Sequence, residues 1–140
     1  MSEENKALMR RFYQEVVNGG NLDLIDQFVA PDFVEHEVFP GLSADREGMK
    51  RFFVMMRSAF PDLRMDVDDL IAEGDKVVSR VTMRGTHKGE FMGIGPTGRT
   101  IAVPTVDIVR IAGGKAVEHW GITDTAAMME QLGAAAVPGS

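Results

Sequence analysis

The sequence predicts an α+β fold in which three N-terminal helices pack on a strongly curved, mostly antiparallel sheet. Two observations carry the prediction. Apolar residues recur at helical spacing as far as Pro61, and from Leu63 onward they alternate with a period of two. Helices followed by antiparallel strands form the α+β pattern, and a curved sheet closed by helices leaves a cone-shaped cavity fit for a small molecule. A third observation sets the extent. The chain has 140 residues without repeat or linker, so one domain is expected over residues 1–133, followed by a fraying Gly/Ala/Pro tail over 134–140.

Each element has a local reason. From Glu4 to Val17, the residues Leu8, Met9, Phe12, Tyr13, Val16 and Val17 form an apolar stripe, and Asn18-Gly19-Gly20 stops the helix. Asn21 is the expected N-cap of a short second helix that carries Leu22, Ile25 and Val29 and ends at Pro31. A third helix runs from about Asp45 to Ala59, with Met49, Phe52, Phe53, Met56 and Phe60 on one face and Lys50, Arg51 and Arg57 toward solvent. The strands are read on Leu63 to Val67, Val77 to Met83, Ile101 to Ile111, and Lys115 to about Thr123. Gly74-Asp75 and Gly113-Gly114 are hairpin turns. A short helix from Thr125 to Leu132 completes the pattern.

Composition removes whole classes of function. Zero Cys excludes a disulfide scaffold, a thiolate metal site and thiol catalysis. Fifteen Lys+Arg against 21 Asp+Glu give a net charge of −6, so neither nucleic acid nor an anionic membrane is an expected partner. No apolar run reaches the length of a membrane span, and the polar start Met1-Ser2-Glu3-Glu4 is unlike a signal peptide, so a cytoplasmic location is expected. Gly93-Ile94-Gly95-Pro96-Thr97-Gly98 matches the dinucleotide string G-x-G-x-x-G. Its proline and the β-alternating run after it fit a hairpin loop instead. His36, His87 and His119 show no ligand spacing, so no metal and no other cofactor is expected. One count stands out: 10 Met beside one Trp and one Tyr. Met suits an adaptable pocket and fills a plain core equally well.

Chemistry then falls to polar residues on apolar faces. Asp107 lies on the alternation Ile101, Val103, Thr105, Asp107, Val109, Ile111. A carboxylate there loses hydration, which favours a neutral acid able to donate to an oxyanion or exchange a proton; a satisfied structural Asp is the plainer alternative. Tyr13, among the apolar residues of the first helix, needs a buried partner for its hydroxyl. His36, after Glu35 at the exit of the second helix, is a candidate base. His119 depends on register. A two-residue turn at Gly113-Gly114 sets Asp107 opposite Trp120, whereas a third turn residue with a glycine bulge sets Asp107 opposite His119. Phe33, Glu35, Met56, Met83, His87, Thr105, Trp120 and Asp124 are the candidate substrate contacts, with N-capping the competing role for Asp124.

Several strings in order carry a family resemblance: Ala30-Pro31-Asp32-Phe33, Ala59-Phe60-Pro61-Asp62, Gly85-Thr86-His87-Lys88-Gly89-Glu90-Phe91, Pro96-Thr97-Gly98-Arg99 and Gly114-Lys115-Ala116-Val117-Glu118-His119-Trp120. With these the chain resembles the SnoaL-like polyketide cyclases and related ester cyclases, within the nuclear-transport-factor-2-like (NTF2-like) cone folds. The resemblance implies intramolecular aldol closure of a polyketide ester, with an acid/base carboxylate in the last strand, where this chain has Gly121. More distantly it is similar to ketosteroid isomerase, which implies an oxyanion pair at Tyr13 and Asp107 and a base at His36. Both resemblances imply an enolisable, apolar carbonyl substrate. His36, or His119 in the bulged register, would remove a carbon-bound proton, and Asp107 with Tyr13 would stabilise the enolate. Cyclisation and double-bond isomerisation both begin this way. A ketosteroid-isomerase-like double-bond isomerase is therefore one alternative, and a ligand-binding domain without catalysis is the other. Relatives imply a homodimer through the open sheet face.

Overall fold

A computed structural model describes residues 2–133; the expected tail at 134–140 lies outside them. The chain begins as helix α1 (Ser2–Arg11), which runs directly into a wider π-helical stretch over Phe12–Asn18. Its Phe12, Tyr13, Val16 and Val17 are all buried. π-Helical insertions often mark functional positions because they rotate side chains out of the α-helical phase. Gly20, at φ 70°, ends the stretch. Arg57 does not face solvent as expected: its Nη1 donates to Val17 O at 2.8 Å, satisfying a terminal carbonyl of the π-helix.

The second helix is shorter than the sequence suggests. A 3₁₀ turn over Leu22–Leu24, without a side-chain cap from Asn21, leads into α2 (Ile25–Phe28). Then comes a strand that the periodicity missed, β1 (Val29–Glu35). Pro31, read as a helix stop, sits inside it. An edge strand tolerates the missing N–H, and the register of β1 shifts between Val29 and Val34, around the proline. Helix α3 (Arg46–Ala59) matches its expected bounds, with Asp45 accepting from Gly48 N at 2.9 Å as N-cap.

The remaining strands are β2 (Arg64–Glu73), β3 (Lys76–Thr86), β4 (Thr100–Ala112) and β5 (Lys115–Thr123), and α4 (Thr125–Gln131) follows. The sheet order is β1-β5-β4-β3-β2, antiparallel except where β1 runs parallel to β5. Gly113 and Gly114 both hold positive φ, as a two-residue hairpin turn requires. The 93–98 string lies in the connection between β3 and β4, as read.

One register shift decides the site. Ala112 pairs with Lys115 and Ile111 with Ala116, but beyond that Arg110 pairs with Glu118, leaving Val117 as an extra residue on β5. Neither expected register is therefore observed. Asp107 pairs with Gly121, and His119 pairs with Val109, on the same face as Asp107. The bulge restores His119 to the inner face without a longer turn.

Helices α1 and α3 close over this inner face around one apolar core. Phe60 is fully buried there, with the rings of His87 and Phe91 at 5.4 and 5.6 Å and the backbone of Gly85 against its side chain. Phe60→Ala is expected to lower unfolding free energy by about 3–5 kcal/mol in urea titrations. A loss under about 1 kcal/mol would contradict this packing.

Candidate active site

The cone encloses a cavity of about 610 Å³, within the range of small-molecule sites. Its wall is mostly apolar. Met9, Met49, Met56, Met65, Met83, Met92, Met128 and Met129 all line it, eight of the ten methionines in the chain. Phe33, Phe52 and Phe91 add aromatic surface. Apart from Ser43 and Thr125, the polar exceptions are concentrated: Tyr13, Glu35, Glu37, Thr105, Asp107, His119 and Thr123.

These groups converge from four elements. The π-helical stretch supplies Tyr13, whose hydroxyl donates to Asp107 Oδ2 at 2.8 Å. β5 supplies His119, whose Nε2 lies 2.8 Å from Asp107 Oδ1 on β4, while its Nδ1 bonds Glu35 Oε2 at the end of β1. The backbone N–H of Glu37 also donates to Glu35 Oε2, at 3.1 Å. Thr123 Oγ1 donates to Glu37 Oε2 at 3.1 Å. The result is a continuous chain from Tyr13 through Asp107 and His119 to Glu35.

Electrostatics follow from that geometry. Burial alone would depress the imidazole of His119, but hydrogen bonds and charge from Asp107 and Glu35 outweigh it and raise its pKa to about 10. The ring is therefore an imidazolium at neutral pH, with both N–H groups spent on carboxylates. Burial, reinforced by the charge of Asp107, pushes the Tyr13 phenol well above its ordinary value. Burial also raises Glu37, with Asp107 and Glu35 adding to the shift and His119 and Thr123 opposing it.

The structure brings together Tyr13, Asp107, His119, Glu35 and Thr105, and it places Phe33, Met56 and Met83 on the cavity wall. Thr105 Oγ1 is buried without a partner there. Four expected residues lie elsewhere. His36 points away from the cavity, because successive side chains of an extended strand alternate. It stacks on Trp120 at 4.8 Å and bonds Glu118, so it cannot reach a bound substrate as base. Trp120 is excluded with it, since the bulge turns that residue outward opposite Ile108. His87 is buried away from the cavity, its Nδ1 bonded to Thr97. Asp124 caps α4 through Ala127 N at 2.9 Å. The expected oxyanion pair also differs: Tyr13 and Asp107 bond each other.

Glu37 is the residue that sequence reading missed. The sequence carried little signal for it: β1 ends at Glu35 and Glu37 lies in the bend that follows, so strand alternation alone does not place it. Glu37, Asp107 and His119 bring potential ligand atoms within 4.8 Å of one another. A cation there would have to displace the proton of a ring whose nitrogens are both paired, so the trio reads as an ion-paired cluster.

Nitrogen NMR is expected to show both ring nitrogens of His119 protonated at pH 8, with titration near 10. A midpoint near 6.5 would contradict the double pairing. Because the folded value stands above the ordinary one, this stabilisation is fully present below about pH 6.5 and is lost as pH rises through about 10.

Comparison with known proteins fits these features. A family model described as SnoaL-like polyketide cyclase matches residues 7–132. The chain is 25% identical to nogalonic acid methyl ester cyclase of Streptomyces nogalater over 83% of its own length and 88% of that protein. It is 24% identical to the aklanonic acid methyl ester cyclase AcmA of Streptomyces galilaeus, over 95% and 92% of the two chains. Among solved structures, TsrD from Streptomyces laurentii superposes with a TM-score of 0.85 at 32% identity, covering 94% of this chain and 96% of that one. With the cone, the cavity and a family match over nearly its whole length, this chain belongs to the SnoaL-like polyketide cyclase family.

Proposed function

We propose that this protein closes a ring in a neutral polyketide ester by an intramolecular aldol reaction, without cofactor or metal. The observation that supports it most directly is the ion-paired cluster Tyr13–Asp107–His119–Glu35 at one end of a large apolar cavity. Aldol closure needs an apolar chamber for the carbon skeleton, a carboxylate to take a carbon-bound proton, and fixed positive charge where the enolate forms. The cavity provides each. The imidazolium of His119 supplies the charge, Asp107 and Glu35 hold it in place, and Tyr13 orients Asp107. Thr105, with its unpartnered hydroxyl, is placed to donate to a substrate oxygen.

The related cyclases, named for nogalonic and aklanonic acid methyl esters, point to a methyl ester as substrate. Asp107→Asn, which keeps the shape but removes a charge holding His119, is expected to fold normally and lose about 100-fold or more in kcat on nogalonic or aklanonic acid methyl ester. Near-normal turnover would sink the assignment of the cluster. Deuterium exchange at the active methylene of the bound ester distinguishes the rival binding-only role, which predicts none.

The proposal extends to a homodimer in the cytoplasm. Supporting the dimer, Val106 and Ile122 pair across β4 and β5 on the outer face of the sheet, and Ile122 is 78% exposed. Sedimentation of the wild type is expected to give a dimer and Ile122→Glu a monomer. A wild-type monomer at micromolar concentration would remove this part of the proposal.

A further inference from the structure

Glu37 stands two residues past the end of β1, and its side chain turns back over Gly121 of β5. A Cβ at position 121 would collide with Glu37 Oε1 and stand only 3.0 Å from Asp107 Oδ1. The bare glycine therefore creates the space in which a carboxylate from the neighbouring segment lies against the cluster.

Three carboxylates reach the cavity, and they differ in what they have left to offer. Asp107 spends one oxygen on His119 and the other on Tyr13. Glu35 Oε2 takes both His119 Nδ1 and the backbone N–H of Glu37. Its Oε1 accepts no hydrogen bond among the described residues, but the carboxylate is ion-paired to the imidazolium, as that of Glu37 is not. Glu37 accepts from Thr123 alone, through Oε2, and among the described residues its Oε1 accepts no hydrogen bond. Resting on the cyclase reading above, we infer that Glu37 is the general base of the ring closure and that Gly121 is the position that admits it.

The step balances without a co-reactant. The Glu37 carboxylate takes a proton from the carbon between two carbonyls, and the C–H electron pair becomes the enolate. The enolate carbon forms a C–C bond to the ketone carbon as the C=O π pair moves to oxygen. The proton on Glu37 then returns to that alkoxide, so the product is an isomer of the substrate. The raised proton affinity of Glu37 suits this role, since a stronger base takes a carbon-bound proton more readily. The groups that face it are Glu35 from β1, Asp107 from β4, and His119 and Thr123 from β5.

Steady-state kinetics of wild type and Glu37→Gln on nogalonic acid methyl ester test the assignment. The variant is expected to lose about 100-fold or more in kcat with KM within about threefold, at unchanged melting temperature. A smaller loss in kcat, with wild-type turnover intact, overturns Glu37 as base and leaves the cyclase reading standing. A wild type inactive on both this ester and aklanonic acid methyl ester overturns the cyclase reading and Glu37 with it. Should Glu37→Gln fail to fold, the wild-type pH profile decides. An acid limb in kcat/KM with its midpoint above the ordinary carboxylate value of 4.5 supports the inference, and a rate flat down to that pH overturns it.

Discussion

A histidine held between two carboxylates, Glu35 on one side and Asp107 on the other, joins β1, β5 and β4 where the cavity is polar. Buried charges cost several kcal/mol each unless they are paired, so each member of the trio keeps the others in place. Removing His119 would leave two unpaired carboxylates under an apolar roof, whereas losing one carboxylate leaves the imidazolium paired with the other. The neighbours follow from this constraint. Tyr13 must donate to Asp107 because a buried phenol needs a partner, and the π-helical stretch sets the phase that lets it. Gly121 must lack a side chain because two carboxylates crowd the position opposite Asp107.

The charge inventory also selects the ligand. Glu35, Glu37 and Asp107 line the cavity, while among the described residues no Lys or Arg does, and His119 supplies one cation against these three carboxylates. An ionised carboxylate entering this space would meet like charge and lose its hydration. A capped, neutral ester meets neither penalty. The same asymmetry separates chamber from surface: Arg110 with Glu118 and Arg84 with Asp66 pair on the outer face of the sheet.

Most of the fold was legible because most of its elements bury one regular face. α3, β3 and β4 show clean periods in the sequence, and their bounds came out nearly as read. β1 was hidden because it is short, contains Pro31, and sits at an edge where proline is tolerated. That one omission displaced the site. Read as a helix exit, the 33–37 segment offered His36 as base. Read as a strand followed by a bend, it turns Glu35 inward and His36 out and brings Glu37 back over Gly121. The β5 bulge was the other obstacle, since an extra residue at Val117 leaves no mark in a hydrophobic pattern. Tyr13, Asp107 and Thr105 were found because a polar group on an apolar face is visible without knowing the register.

The methionine wall has a thermodynamic consequence. An unbranched thioether side chain with three rotatable bonds loses up to about 1.5–2 kcal/mol of rotamer freedom when it is fixed. Met9, Met56, Met83 and Met128 are already fixed in the core, but Met49, Met65, Met92 and Met129 keep part of that freedom, and any ligand must offset what it freezes. A small fragment touches too few of them to compensate, whereas a rigid polycycle that presses on most of the wall gains dispersion and burial over its whole surface. The chamber thus discriminates by extent of contact rather than by a fitted outline.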